Sequence, residues 1–360
     1  RLFADYPLAI ALLTHSQHQL IGTNNKNAKI TATIIKKELK AGNINIVIGT
    51  HSLLQADIVW HKLGLIIVDE QHRFGVEQRR HLLTRTNEIA PHFLSLSATP
   101  IPRSLALSIY GDLDISLLKT MPSGRLPITT KIITPSKRAL AYDLMKQEIA
   151  NSHRVFIICP LIEENDQWGV KAVTTEFDRL SSQIFPNIKI GLLHGKLSGK
   201  QKIEALQNFK TGQTPILVTT SVVEVGVDIP EATIMAIEGA ERFGVAQLHQ
   251  FRGRVGRSNK PSHCLLFTNE EINFPKRLEA LVKYANGFDL AEFDLAERGP
   301  GSLMGEIQSG YLNLKYADLI NAELLATVRG ATDYTLKTDS AFNKWPQIKQ
   351  QLKNTDFHPE

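Results

Sequence analysis

Nine short apolar runs constrain this chain more than any other feature: Leu8–Leu13, Ile44–Ile48, Leu65–Val68, Phe93–Leu96, Val155–Ile158, Ile188–Leu193, Ile216–Val218, Ile234–Ile237 and Cys264–Phe267. Most are continuous rather than alternating, which is the pattern of strands covered on both faces. Between several of them lie helical patterns, at Ala28–Leu39, Ala139–Ala150 and Lys200–Phe209. Strands alternating with helices predict an α/β fold with parallel sheets flanked by helices.

The stretch Lys119–Thr130, "KTMPSGRLPITT", has two prolines, a glycine and no apolar period, so it reads as a linker between two α/β units. After Asn269 the pattern becomes a helix, a break at Gly287, a second helix and the turn Gly299-Pro300, followed from Leu312 by an amphipathic helical tail. These boundaries divide the chain into residues 1–122, 123–270 and 271–360. A length of 360 residues fits two domains with an appendage.

Composition excludes some classes. Hydrophobic residues make up 42% and charged residues 21%, which places the chain with packed proteins rather than disordered ones. No apolar run approaches the roughly 20 residues that span a bilayer, and no signal pattern opens the sequence, so a cytoplasmic protein is expected. Cys159 and Cys264 both sit in apolar runs, as small buried residues rather than a disulfide or metal framework. A net charge of +5 permits a nucleic-acid partner without requiring one.

Ligands of open α/β sheets collect beyond the carboxyl ends of strands. Four strand endings here carry unusual residues: "GTH" at Gly49–His51, "DEQH" from Asp69, "SATPIPR" from Ser97 and "TTSVVEVGVD" from Thr219 to Asp228. An aspartate at such an end can hold Mg2+ through water, and a neighbouring glutamate can take a proton from an attacking water. Nucleoside triphosphate hydrolysis needs both roles. An acid pair alone reads better as a pair of solvated or capping carboxylates. Four apolar residues before Asp69-Glu70 and His72 just after it favour the catalytic reading.

A second group, "QLHQFRGRVGRS", sets Arg252, Arg254 and Arg257 within six residues, spaced by Gly253 and Gly256. The planar guanidinium fork matches phosphate oxygens and stabilises charge on a transferring phosphoryl group. A solvated basic face is the plainer alternative.

Taken together, "VDEQH", "SLSATPIPRSLA", "TTSVVEVGVDIPEA" and "QLHQFRGRVGR" resemble motifs II, III, V and VI of superfamily 2 helicases. The stretches "VDEQHRFGVEQR", "IYGDLDISLLKTMPSGRLPI", "GAERFGVAQLHQFRGRVGRS" and "AERGPGSLMGEIQSG" resemble the RecG-type bacterial DNA helicases within it, from about Ile46 to about Gly310. The resemblance implies two RecA-like parallel-sheet domains, a C-terminal helical hairpin, ATP and Mg2+ as cofactors, and branched or duplex DNA as partner. It also implies roles by position. Asp69 would hold Mg2+ through water and Glu70 would activate the hydrolytic water. Gln71, His72, Ser97 and Thr99 would couple nucleotide state to movement. Gly226, Asp228 and Gln250 would line the nucleotide cleft, with Arg254 and Arg257 reaching the phosphates. Thr50 and His51 would lie near the DNA backbone, and Arg298 and Gln308 would serve a translocation element.

The phosphate-binding string G-x-x-x-x-G-K-[ST] does not occur; "GLLHGKLS" at Gly191–Ser198 has the wrong spacing. The chain also opens at Arg1, close to its first apolar run. Both features lead to the expectation of a C-terminal motor portion, monomeric, with a truncated first domain, lacking the Walker A loop and the N-terminal wedge, and inactive by itself. Two rival readings are a transcription-repair coupling translocase, which shares "ATPIPR" and "QLHQ", and an inert DNA-binding fragment.

Overall fold

A computed structural model describes all residues except 1–5, 16, 23–26, 56, 70–90, 98–115, 119, 121–123, 161–165, 221–228, 299–321, 340 and 355–360, with backbone alone at 27–29, 166–172, 298, 322–326, 329 and 352–354. Two compact units emerge: residues 1–98 with 342–360, and residues 99–341.

In the first unit β1 (Ile10–Leu13) pairs in parallel with β4 (Ile46–Gly49), from Ile10↔Ile46 to Leu13↔Gly49. On the other side of β1, β2 (His18–Ile21) and β3 (Asn27–Lys29) add an antiparallel edge. This edge was not anticipated, because "HQLI" and "NAK" have little apolar content. It also corrects the predicted helix Ala28–Leu39: Asn27–Lys29 pair with β2, and α1 runs Ala32–Ala41. Thr31 sets that start, its hydroxyl accepting from the Ile34 amide at 3.4 Å, the capping role that favours threonine. Ile35 and Leu39 of α1 are buried with Ala11, Leu13 and Ile58. The remaining strands of the unit, β5 (Leu65–Asp69) and β6 (His92–Leu96), form a parallel pair from Leu65↔His92 to Asp69↔Leu96. Ile66 and Val68 of β5 are buried against Leu54, Leu63 and Phe93.

The second unit is built on a six-stranded parallel sheet in the order β7-β12-β11-β8-β10-β9. Its strands are β7 (Ile128–Ile133), β8 (Arg154–Ile158), β9 (Ile190–Leu193), β10 (Ile216–Thr219), β11 (Ala232–Ile237) and β12 (Ser262–Phe267). The edge strand β7 shortens the predicted linker, since Ile128–Thr130 already pair with β12 from Ser262↔Ile128 onward. Its alternating "ITTKII" puts Thr129 and Lys131 in solvent, so it lacked the continuous apolar run that marked the central strands.

Helices cover both faces of this sheet. On one side α2 (Arg138–Ala150) and α3 (Asp166–Arg179) supply Tyr142, Met145 and Val173 to a core with Val155, Ile157 and Ile216. On the other, α4 (Gly199–Thr211), α5 (Val245–Arg252), α6 (Lys276–Lys283) and α7 (Gly287–Arg298) bury Phe209, Leu248, Phe251, Leu281 and Leu290 against Phe156, Leu217 and Met235. The α4 start is a full capping box between Ser198 and Gln201. Helices α6 and α7 form the anticipated hairpin, joined by a Lys276–Glu297 ion pair at 3.0 Å and a Tyr284–Phe293 ring contact. Asn286 caps α7, its Oδ1 accepting from the Asp289 amide at 2.8 Å. Two further helices are α8 (Ala322–Thr338) and α9 (Pro346–Asn354). No helix among the described residues is long and apolar enough to cross a membrane.

Candidate functional site

In the first unit the strand ends carry the predicted residues. β4 ends at Gly49, where an added Cβ would lie 2.3 Å from the Leu13 carbonyl oxygen and 2.7 Å from Leu53 Cγ, so only glycine lets the chain turn this close to β1. Thr50 then opens a short 3-10 turn, His51–Leu54. The turn is tied back by Ser52, whose hydroxyl donates to the Leu13 carbonyl at 2.9 Å. Thr50 and His51 thus stand beyond the carboxyl end of β4, on a base fixed to β1.

Asp69 is the last residue of β5 and is exposed. The register opposes it to Leu96, the last residue of β6, so the next residue, Ser97, lies beside it. The acid of one predicted motif and the serine of another are therefore neighbours at the same sheet end. Glu70, Gln71, His72 and Thr99 lie outside the described residues, as do Gly226, Asp228 and Gln308. Arg298 closes α7.

In the second unit, α5 presents Gln250 half-buried and runs into the arginine loop, where Arg254 is half-buried and Arg257 exposed. Arg257 Nε donates to the Gly253 carbonyl at 3.4 Å, folding its side chain along the loop. Arg252 behaves differently from its two neighbours. It is 4% exposed, and its Nη1 donates to the carbonyls of Leu281 and Tyr284 at 2.8 and 2.9 Å. Nη2 donates to the Ala285 carbonyl at 2.8 Å and to His249 Nδ1 at 2.9 Å. In the sequence Arg252 stands in one cluster with Arg254 and Arg257, and in the fold it satisfies the carbonyl end of α6. The available signal was helical spacing: Val245, Leu248 and Arg252 fall on one buried stripe. His249 accepts from Arg252, so the other ring nitrogen carries its proton. Burial and then the adjacent Arg252 charge push its pKa down to about 4.

A cavity of about 190 Å³ lies beyond the carboxyl ends of β8 and β11, where the strand order reverses. Cys159, Pro160, Glu238 and Arg242 are among its lining residues. Glu238 is paired in bidentate fashion with Arg138 at 3.1 and 3.0 Å, and Arg138 also stacks on Phe267. Burial nevertheless raises the Glu238 pKa, outweighing the arginine. Tyr142 links this pair to a second, its hydroxyl accepting from Arg179 at 2.8 Å while Arg179 holds Glu176. Sequence reasoning missed this network because its members are distant along the chain.

Comparison with known proteins gives three family matches in chain order. The DEAD/DEAH box helicase model matches residues 11–107, the helicase conserved C-terminal domain matches 136–259, and the "ATP-dependent DNA helicase RecG, domain 3, C-terminal" model matches 284–356. The ATP-dependent DNA helicase RecG of Synechocystis is 45% identical over 93% of this chain and 40% of its own length. That of Aquifex aeolicus is 43% identical over 98% of this chain and 44% of its own length. A solved structure of RecG bound to a three-way DNA junction superposes with a TM-score of 0.65 at 37% identity, covering 90% of this chain and 40% of that one. The chain spans less than half the length of these relatives.

These matches overturn the expectation of a C-terminal motor remnant lacking the Walker A loop and wedge. They run from residue 11 to residue 356, and the first takes in β1, β4, β5 and β6 as one helicase domain. A single phosphate-loop string is a few residues of pattern, whereas the match takes in nearly 100 residues together. The parallel sheets are RecA-like, and over nine-tenths of its length the chain is similar to the RecG helicases.

Proposed function

We propose that this chain is the motor of an ATP-dependent DNA helicase that remodels branched DNA, such as replication forks and Holliday junctions, in recombination and repair. The observation that carries the reading is the 45% identity to RecG over 93% of the chain, with the acid and arginine motifs in order. The fold match to a RecG bound to a three-way DNA junction supports branched DNA as the partner.

The proposed division is a first RecA-like domain over 1–122, a second over 123–270, and a translocation element with its tail over 271–360. Asp69, exposed at the carboxyl end of β5, suits a carboxylate that holds Mg2+ through water. Water and phosphate oxygens would complete the ion's shell. Bound there, Mg2+ would neutralise charge on the phosphates. Glu70 takes the proton of the attacking water. Arg254 and Arg257, with Arg257 first, stabilise charge on the transferred phosphoryl group. Gly226, Asp228 and Gln250 line the nucleotide site, and Gln71, His72, Ser97 and Thr99 relay its state. Thr50 and His51 meet the DNA backbone. Arg298 and Gln308 convert closure of the motor into movement of duplex DNA.

The test is DNA-stimulated ATP hydrolysis by the native protein that carries this chain. Glu70→Gln and Arg257→Ala should each lower turnover by about two orders of magnitude or more while DNA is still bound. Turnover insensitive to both substitutions would sink the assignment. Affinity for a three-way junction should fall steeply with salt, as phosphate contacts require.

A further inference from the structure

The arginine loop is held by more than its own helix. From inside, the amides of Gly253, Arg254 and Val255 donate to the carbonyls of His249, Phe251 and Arg252 at 3.0, 2.9 and 3.4 Å. These bonds carry the chain through the turn after α5. Two further constraints meet at Gly256, between the two arginines assigned to phosphate. Gly256 has φ +70°, and a Cβ there would lie 2.8 Å from Ile128 Cγ1. Its carbonyl accepts from Arg125 Nε at 2.6 Å, a bond spanning 131 residues of sequence.

Both constraints come from one segment. Arg125 precedes β7 and Ile128 begins it. This segment is the connection between the part of the chain matched by the first helicase model, ending at 107, and the part matched by the second, starting at 136. The chain that leads out of one motor half therefore grips the arginine loop of the other half on its way in.

We infer that Arg125 is a positioning residue for Arg254 and Arg257: through the Gly256 carbonyl it fixes the loop on which they are carried, and so links the connecting segment to the site of phosphoryl transfer. The bond is suited to that task. It is charge-assisted and half-buried, and such bonds are roughly twice as strong as neutral ones. It acts on backbone, so it sets the path of the loop rather than one side chain. Glycine at 256 permits this close approach, because a Cβ there would meet the Ile128 side chain. The inference rests on the reading of Arg254 and Arg257 given above, and its test separates the two.

The experiment compares the native protein with Arg125→Ala, Arg125→Lys and Arg257→Ala by hydrogen exchange at the Gly253, Arg254 and Val255 amides, and by ATP turnover. Arg125→Ala should speed exchange at these three amides by about tenfold without altering the central strands β8 and β11. Lysine, which keeps a cationic donor, should restore part of the protection. Turnover should fall through kcat, with KM for ATP held within about twofold. Unchanged exchange at the three amides overturns the proposal. So does faster exchange spread over the whole second unit, which would mark Arg125 as a general staple. Local loosening with turnover lost in Arg257→Ala but normal in Arg125→Ala also overturns it. Local loosening with normal turnover in both variants instead removes the phosphate role of the loop.

Discussion

Strands β5, "LIIVD", and β10, "ILVT", are nearly the same in character, yet they sit in different surroundings. Every residue of β10 is buried. In β5, Ile66 and Val68 are buried while Leu65 and Ile67 are 54% and 57% exposed. A continuous apolar run shows that a strand can be covered on both faces; it does not make that happen. In the second unit α2 and α3 close one face of the sheet and α4 to α7 the other. In the first unit the described contacts of β5 cover one face alone. The lesson is that burial belongs to the layers around a strand, and apolar pattern only to the strand.

The comparison can be broken by matched substitutions. Ile234→Ala, in a fully buried strand, should cost about 4 kcal/mol, within the range for truncating core aliphatics. Ile67→Ala should cost under about 0.5 kcal/mol, as exposed substitutions do. Denaturant unfolding read by hydrogen exchange, which reports each unit separately, decides the matter. Equal losses would refute the contrast between the units.

Next in size is Arg138→Ala. Glu238 would be left largely out of solvent without its bidentate partner, at a cost of about 3 kcal/mol to the second unit. Adding Glu238→Gln should recover part of that loss, because the remaining group no longer carries charge. Failure of the second substitution to help would show that Arg138 acts by packing on Phe267 instead.

In the first unit, Gly49→Ala should cost about 2 kcal/mol, since its Cβ would meet the Leu13 carbonyl and Leu53. The loss should appear as faster exchange across β1 and β4, with the second unit unaffected. A neutral result would mean that the β4 ending is looser than its geometry requires.

The second unit should also show a pH dependence. The folded-state pKa of His249 is lowered from 6.5 to about 4, chiefly by burial. Protons therefore bind the unfolded state first as pH falls, so stability is full above about 6.5 and is lost on acidification toward 4. His194 and His263 are shifted the same way by burial and add to the trend. His249→Gln keeps an acceptor for Arg252 and should flatten the profile between pH 7 and 5 in urea titrations. An unchanged profile would assign the dependence to the other two histidines.

Much of the fold could be read from residues. All nine apolar runs are strands, shifted by a few residues at their ends, and the helices at α2 and α4 start and stop close to their predicted limits. The strands that escaped notice, β2, β3 and β7, are edge strands or nearly so, with polar or alternating sequences that apolar run length does not detect. The site followed the same division. Asp69 and Ser97 were singled out because each ends an apolar run, and register alone then makes them neighbours. Arg252 stood in one cluster with Arg254 and Arg257 and was given no role, because three arginines in six residues look alike until one of them is buried. Arg138, Glu238 and Arg125 gave no local signal, since each acts on a partner 100 or more residues away.

The sequence by itself determined where the central strands fall, which residues end them and what the chain is similar to, because apolar period and motif spacing are local properties of the chain. Tertiary structure alone decided which strands are covered on both faces, which arginine of three is taken up by a helix end, and which distant residue holds the arginine loop. Those outcomes depend on what is packed alongside, and packing joins residues that the sequence keeps far apart.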